Sequence, residues 1–108
     1  EAPFDAALVF NFIRLLPPDE LAGTFQRLRH LLAPRGQLII MDELGDRPRG
    51  AFSEANRRLI QLELYNSVRG RTHRTRDLTK SLAEAGFSKV RRVRLRRASG
   101  LGLLLCSR

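Results

Sequence analysis

The chain has 108 residues, of which 43 % are hydrophobic and 29 % are charged, and its net charge is +9. This composition is that of a single globular domain, and it excludes disordered and collagen-like chains. The single cysteine excludes an internal disulfide and a cysteine-based metal cluster, and no apolar run approaches the roughly 20 residues of a membrane span.

The positive charge is concentrated in the second half of the chain. Residues 1–54 contain six arginines and eight acidic residues, whereas residues 55–108 contain fourteen lysines and arginines and three acidic residues. A basic half permits nucleic-acid binding, but a solvated surface explains it equally well. Since the sequence has no signal-peptide pattern, we expect a cytoplasmic location.

The first predicted elements are a strand and a helix. The apolar run at residues 4–10 has the length of a strand, and we expect it to be buried on both faces. Pro17 and Pro18, followed by two acidic residues, predict a helix start. An apolar stripe continues that helix, which residues 34–36 (PRG) should stop.

A second strand and two further helices follow. Residues 38–41 (LIIM) predict a buried strand that ends at the acidic pair Asp42 and Glu43. After a polar loop at residues 45–50, Ser53 is a candidate cap for a helix reaching about Val68, and Thr75 is a candidate cap for a shorter helix that stops at Gly86. The first of these helices has its apolar positions at Leu59, Leu62 and Tyr65.

The chain ends in two predicted strands. Residues 90–95 alternate with arginines, as in a strand with one wet face, and a turn leads into an apolar strand at residues 101–106. Alternating strands and helices predict a parallel α/β sheet, and the short last connection predicts a terminal antiparallel hairpin. The arginine run favours a solvated strand face over a nucleic-acid site, because stacking aromatics are scarce nearby; its members are Arg91, Arg92, Arg94, Arg96 and Arg97.

Four segments in this order resemble the C-terminal half of class I S-adenosylmethionine-dependent methyltransferases, and most closely the small-molecule O-methyltransferases. They are residues 4–11 (FDAALVFN), 32–43 (LAPRGQLIIMDE), 69–75 (RGRTHRT) and 82–87 (LAEAGF). The resemblance implies a partial Rossmann-like sheet, namely strands four to seven of seven with the last strand antiparallel, and flanking helices. Residues 1–108 would then form the C-terminal part of a methyltransferase domain.

The same resemblance implies that half of the cofactor site lies outside these residues. The family's glycine-rich loop and ribose-binding acid belong to its first three strands. Gly100 and Gly102 do not replace that loop, since no helix follows them. We therefore expect a fragment or truncated product, completed by the missing N-terminal half or by another chain, and a homodimer is possible.

The resemblance also implies site residues. Asn11 and Phe12 follow the first strand and would border S-adenosylmethionine, although Asn11 could simply end the strand and Phe12 pack in the core. Arg14 stands where the family has its base histidine, and an arginine remains protonated. Asp42 matches one of the family's two supporting acids, and His73 stands in place of the other.

Arg14 and His73 thus differ from the residues of the family at these two positions, and two interpretations of the difference stay open. Either His73 is the base while Arg14 pairs with Asp42 or holds an anionic substrate, or His73 and Arg14 are exposed residues without a catalytic role. His30 is predicted to face solvent, Cys106 to be inert, and no metal site is expected.

The resulting functional prediction is methyl transfer from S-adenosylmethionine to a hydroxyl of a small-molecule acceptor. Two alternatives remain. One is a catalytically inactive remnant that acts as an interaction or dimerisation module, and the other, less favoured, is a basic nucleic-acid-binding domain. No membrane partner is expected.

Overall fold

The chain forms one four-stranded sheet with two helices packed on one of its faces. A computed structural model describes residues 4–44, 51–68, 70–95 and 101–108. The strands are β1 (Phe4–Phe10), β2 (Leu32–Glu43), β3 (Lys89–Arg94) and β4 (Leu101–Ser107). The helices are α1 (Pro18–Leu31), α2 (Ala51–Val68) and α3 (Thr75–Glu84), and a 3-10 turn covers Ile13–Leu15.

The sheet has the order β1-β2-β4-β3. Strand β1 pairs with β2 in parallel, whereas β4 runs antiparallel to both of its neighbours, β2 and β3. The predicted fold class is therefore confirmed: a parallel α/β unit ends in an antiparallel hairpin whose last strand is inserted into the sheet. No described strand pairs with the other side of β1, so β1 forms an edge.

The hydrophobic core lies between the sheet and helices α1 and α3. Helix α1 contributes Leu21 and Phe25, and α3 contributes Leu78 and Leu82, all at most 2 % exposed. They pack on one face of the central strands, whose buried residues there are Leu38, Ile40, Leu104 and Cys106. The Nε of Arg29 donates to the carbonyl oxygen of Gly86 (3.0 Å), which links the end of α1 to the turn after α3.

The opposite face of the sheet is not covered by a helix of this core. Along a strand, side chains alternate between the two faces. Leu8 and Phe10 on β1 are 62 % and 45 % exposed. Strand register places them beside partly buried apolar side chains of β2 and β4, namely Ile39, Met41, Leu103 and Leu105. We call these six residues the bare face.

The expectation that the first strand is buried on both faces was therefore wrong. An apolar strand can be buried on both sides, but burial requires a second layer, and the described residues supply a layer on one side only. The predicted apolar positions of α2 are also exposed: Leu59 is 62 %, Leu62 57 % and Tyr65 55 % exposed.

Helix boundaries differ slightly from the predictions. Helix α2 begins at Ala51, two residues before the predicted cap Ser53. Arg74, not Thr75, occupies the cap position of α3. The predicted stop at Gly86 is confirmed, since this residue has φ +102°, a conformation that glycine adopts without strain.

The predicted turn at residues 34–36 lies inside the extended strand β2, where pairing with β1 shifts register between Phe4 and Ala6. A local irregularity of the strand thus replaces a turn. Of the predicted arginine run, Arg91 and Arg92 are exposed, as expected for a solvated strand. The side chain of Arg94, residues 96 and 97, and the polar loop at 45–50 lie outside the described part of the structure.

Candidate active site

The candidate site lies at the carboxyl ends of β1 and β2. Strand β1 ends at Phe10, and the backbone N–H of the next residue, Asn11, donates to the carbonyl oxygen of Met41 (2.9 Å). Asn11 has φ 56°, a left-handed conformation that asparagine tolerates better than most residues. This conformation turns the chain out of the sheet, and Ile13, 1 % exposed, anchors the following 3-10 turn in the core. Ligands of open α/β sheets bind at this end of the strands.

Arg14 and Asp42 form an ion pair at the centre of the site. The Arg14 Nε donates to Asp42 Oδ1 at 2.8 Å, and the Arg14 backbone N–H donates to Oδ2 at 3.2 Å. The Glu43 backbone N–H also donates to Oδ1 (2.8 Å), and Asp42 is only 1 % exposed. Arg14 Nη2 donates to Asn11 Oδ1 (2.9 Å). Three donors thus hold the carboxylate, and the guanidinium is a fixed cation.

The segment that carries His73 closes one side of the site. The Arg71 backbone N–H donates to the carbonyl oxygen of Arg14 (2.9 Å), and His73 forms a parallel β-bridge with Leu44. His73 Nε2 lies 2.9 Å from the carbonyl oxygen of Leu16. A carbonyl oxygen only accepts, so Nε2 carries the hydrogen, and Nδ1 is the ring atom of a neutral His73 that can accept a proton.

The alternative in which Arg14 and His73 are exposed residues does not agree with the structure. His73 is 6 % exposed, and the Arg14 side chain is 22 % exposed and paired. The structure thus brings Asn11, Arg14, Asp42 and His73 to one edge of the sheet. The catalytic roles predicted for them remain predictions.

Phe12 lies next to this cluster and is 44 % exposed, so it is not a core residue. An exposed aromatic ring beside the Asn11 amide suits one side of a nucleoside-containing ligand such as S-adenosylmethionine. The glycine that the sequence discounted, Gly102, lies in β4, and the side chain of Leu44 occupies the place where a Cβ at that position would be. The described residues therefore fit part of a cofactor site.

Glu43 is a site residue whose role could not be predicted from the sequence. It ends β2 next to Asp42. Partial burial raises the pKa of the Glu43 carboxyl, and the Asp42 charge adds to this effect while the Arg14 charge opposes it. The acidic pair at the end of an apolar strand is visible in the sequence. The effect of the Arg14 charge on Glu43 is not, because the two residues are 29 positions apart.

The remaining predictions about titratable residues concern residues outside the cluster. His30 is exposed, as predicted. Burial raises the pKa of the Cys106 thiol to about 12, which agrees with the prediction that it is inert. Among the described residues, no group of three or more His, Cys, Asp or Glu side chains is arranged to hold a metal ion. No described helix combines the length and apolar character needed to cross a membrane.

No protein-family model matches the chain, and no curated protein sequence matches it. Solved structures do match. The mitomycin 7-O-methyltransferase MmcR superposes with a TM-score of 0.83 at 19 % identity, over 98 % of this chain and 30 % of that one. The S-adenosylmethionine-dependent methyltransferase SibL gives 0.81 at 20 % identity, over 99 % and 31 %.

Human N-acetylserotonin methyltransferase, solved in complex with S-adenosylmethionine, gives a TM-score of 0.77 at 16 % identity, over 95 % of this chain and 29 % of that one. The chain thus spans about 30 % of the length of the structures that it matches. This chain therefore has the fold of a part of these solved O-methyltransferases, about 30 % of their length.

Proposed function

We propose that this chain is the acceptor-side part of an enzyme that transfers a methyl group from S-adenosylmethionine to a hydroxyl of a small molecule. The observation that carries the proposal is the superposition of nearly the whole chain on about 30 % of the length of several methyltransferases. The polar cluster at the carboxyl ends of β1 and β2 supports it, since this is the edge at which α/β folds bind their ligands.

Methyl transfer requires mainly that the acceptor oxygen be aligned with the reacting carbon. When bound, S-adenosylmethionine supplies an electrophilic methyl group on a sulfonium. Asn11 and Phe12 would border it. The Arg14–Asp42 pair would form a rigid wall of the acceptor site, because both side chains are held by hydrogen bonds. His73 is the base that the sequence predicts, through Nδ1.

The proposed partner of this chain is a second layer that carries the glycine-rich half of the cofactor site, on the same polypeptide or on another chain. The bare face supports this proposal. Six apolar side chains on one sheet face, next to the edge strand β1, form the kind of surface that parallel sheets cover with helices. An unpaired strand edge favours addition of a further strand.

Two other functions remain as alternatives. An inactive remnant would use the same bare face, or the exposed residues Leu59 and Leu62 of α2, to bind a partner or a second copy of itself. The substitution of the family's base by Arg14 favours this reading. A nucleic-acid-binding function would depend on Arg91 and Arg92 of the edge strand β3 and would weaken steeply with salt. A cytoplasmic location is part of the main proposal.

Calorimetric titration with S-adenosylmethionine tests the proposal. It should be performed on the protein in which residues 1–108 are joined to the preceding half, with Asn11→Ala as the site variant and Asn66→Ala, an exposed residue of α2, as the matched control. We expect binding that Asn11→Ala weakens and Asn66→Ala does not. Absence of binding in the complete protein contradicts methyl transfer and favours the remnant. Binding to RNA or DNA that falls with salt would favour the third reading.

The predicted role of His73 has its own test. Turnover of His73→Ala should be compared with that of His30→Ala, which removes an exposed histidine outside the site. Loss of a general base lowers the rate by about 100-fold to 10,000-fold. Unchanged turnover in His73→Ala contradicts the role of His73 as the base.

A further inference from the structure

The site contains two groups that are poorly placed to take a proton from an acceptor hydroxyl. Arg14 stays protonated and already donates to Asp42 and Asn11. His73 donates its Nε2–H to Leu16 and is only 6 % exposed, so an acceptor hydroxyl has little access to its ring.

Glu43 differs from both. Its carboxylate accepts no hydrogen bond from any described residue, whereas the Asp42 carboxylate accepts three. A carboxylate without protein donors has its lone pairs available to an incoming hydroxyl. Glu43 is also partly exposed, so a substrate can reach it.

Strand geometry shows which side Glu43 occupies. Alternation along β2 places Glu43 on the same face as Ile39 and Met41, which is the bare face. Asp42 belongs to the covered face, where it pairs with Arg14. Glu43 also lies two residues beyond Met41, the last β2 residue that pairs with β1, so it extends past the end of that pairing. It thus lies where the bare face meets the ligand-binding edge.

We propose that Glu43, in place of the His73 predicted from the sequence, is the proton acceptor of the methyl transfer and that Arg14 stabilises the negative charge that develops on the acceptor oxygen. This inference rests on the proposed function. The hydroxyl proton of the acceptor moves to the Glu43 carboxylate, and an oxygen lone pair forms the new bond to the methyl carbon. The electrons of the broken carbon–sulfur bond remain on sulfur, which leaves as a thioether.

The charge balance of the site indicates the class of acceptor. Among the described residues of the cluster, Asp42 pairs with Arg14, and Glu43 adds one further negative charge. Among the described residues, the charges that act on Glu43 are those of Arg14 on the 3-10 turn and Asp42 on β2. A site with this balance repels carboxylate acceptors and suits neutral hydroxyl compounds such as phenols, which must lose a proton in order to react.

The test compares Glu43→Gln with the wild-type protein that contains the preceding half. Glutamine keeps the shape but cannot take the proton. For a neutral phenol we expect kcat to fall by about 100-fold or more, with unchanged affinity for S-adenosylmethionine by calorimetry. For an acceptor that is already ionised at the assay pH the loss should shrink. Glu63→Gln, which changes an exposed acid on α2, is the matched control.

The pH profile identifies the group. In the wild type kcat should fall on the acidic side as Glu43 becomes protonated, and this limb should disappear in Glu43→Gln and remain in His73→Ala. Glu43→Asp should recover part of the rate, and thermal unfolding of each variant identifies a folding defect. Retention of both the rate and the acidic limb in Glu43→Gln overturns the proposal, as does loss of the limb in His73→Ala alone.

The failure of this inference is distinguishable from failure of the proposed function. A wild-type protein that binds S-adenosylmethionine and methylates phenols while Glu43→Gln does so equally well contradicts only the role of Glu43. A complete wild-type protein that neither binds S-adenosylmethionine nor methylates any acceptor contradicts both.

Discussion

The two faces of the sheet are made of similar side chains but have different environments. On the covered face, Leu38, Ile40 and Leu104 are at most 1 % exposed beneath α1 and α3. On the bare face, Leu8 and Phe10 are largely exposed although they are as apolar as the buried residues. The difference shows that both faces of these strands carry apolar residues suited to burial. The described helices cover only one of the two faces.

Chain connectivity explains why only one face is covered. A right-handed crossover between two parallel strands places its helix on one side of the sheet. Helix α1 connects β1 to β2, and α3 precedes β3, so both of these helices lie on the same side. Helices that cover the other side would have to connect strands in the opposite direction along the sheet.

The largest expected effect is the difference in stability between removing a phenylalanine side chain from the covered face and removing one from the bare face. Phe25→Ala deletes a fully buried ring of α1 and should cost about 3–5 kcal/mol of the free energy of unfolding. Phe10→Ala on the bare face should cost less than about 1 kcal/mol in the 108-residue chain. Urea titration measures both. Equal costs in this chain would mean that the bare face is buried in solution.

Thiol reactivity should also separate the two faces. Cys106 lies on the covered face, and its pKa is raised to about 12, so little reactive thiolate is present at pH 8. We expect a cysteine introduced by Leu8→Cys to react with an aromatic disulfide reagent at least about 100-fold faster than Cys106. Similar rates at the two positions would contradict the assigned exposure.

The ion pair at the edge of the covered face should matter less than the core. Asp42→Asn weakens the acceptor of Arg14 and of two backbone N–H groups, and we expect a loss of about 1–3 kcal/mol in the free energy of unfolding. Asp77→Asn is the matched control. Its pairing with Arg76 at 3.8 Å is exposed, so its loss should be about 0.5 kcal/mol or less. The proposed rigidity of the site is wrong if the two substitutions cost the same.

The smallest expected effect is the pH-dependent contribution of Glu54, on α2, to the stability of the protein. Hydrogen bonds from Arg57 and Arg58 lower the pKa of Glu54 to about 2, so its contribution to stability is present above its ordinary pKa of 4.5 and is lost as the pH falls towards 2. Glu43 has the opposite sign: its raised pKa reflects a burial penalty that disappears on protonation.

Thermal unfolding of Glu54→Gln from pH 7 to pH 2 measures this contribution. The difference from the wild type should be small at pH 7, because water screens the pair, and it should vanish near pH 2. A difference that grows on acidification would contradict the assigned pairing.

Much of the fold was predictable because its signals are local. The helix start at Pro18 and its stop before β2, the glycine with positive φ at position 86, and the short connection between the last two strands are all properties of neighbouring residues. Their order along the chain then determined the sheet. The exposure of Leu8 and Phe10 was not predictable, because an apolar pattern states what can be buried and not which partner buries it.

The site was predictable only in part for the same reason. Resemblance placed Arg14, Asp42 and His73 in one site, but the contacts that hold each of them there join residues that are far apart in the sequence. His73 is buried because it bridges Leu44 and donates to Leu16, and neither contact leaves a trace in the local sequence. The importance of Glu43 depends on which face of β2 is bare, so it emerged only with the register of the sheet.

Amide hydrogen exchange on β1 tests the central proposal most directly, namely that the bare face and the edge of β1 would receive the remaining part of a methyltransferase. The Asn11 N–H points towards β2, so alternation directs the N–H groups of Leu8 and Phe10 to the free edge. We predict rapid exchange at both positions in the 108-residue chain and exchange at least about 100-fold slower in the protein joined to its preceding half. Equal rates in the two proteins would contradict the claim.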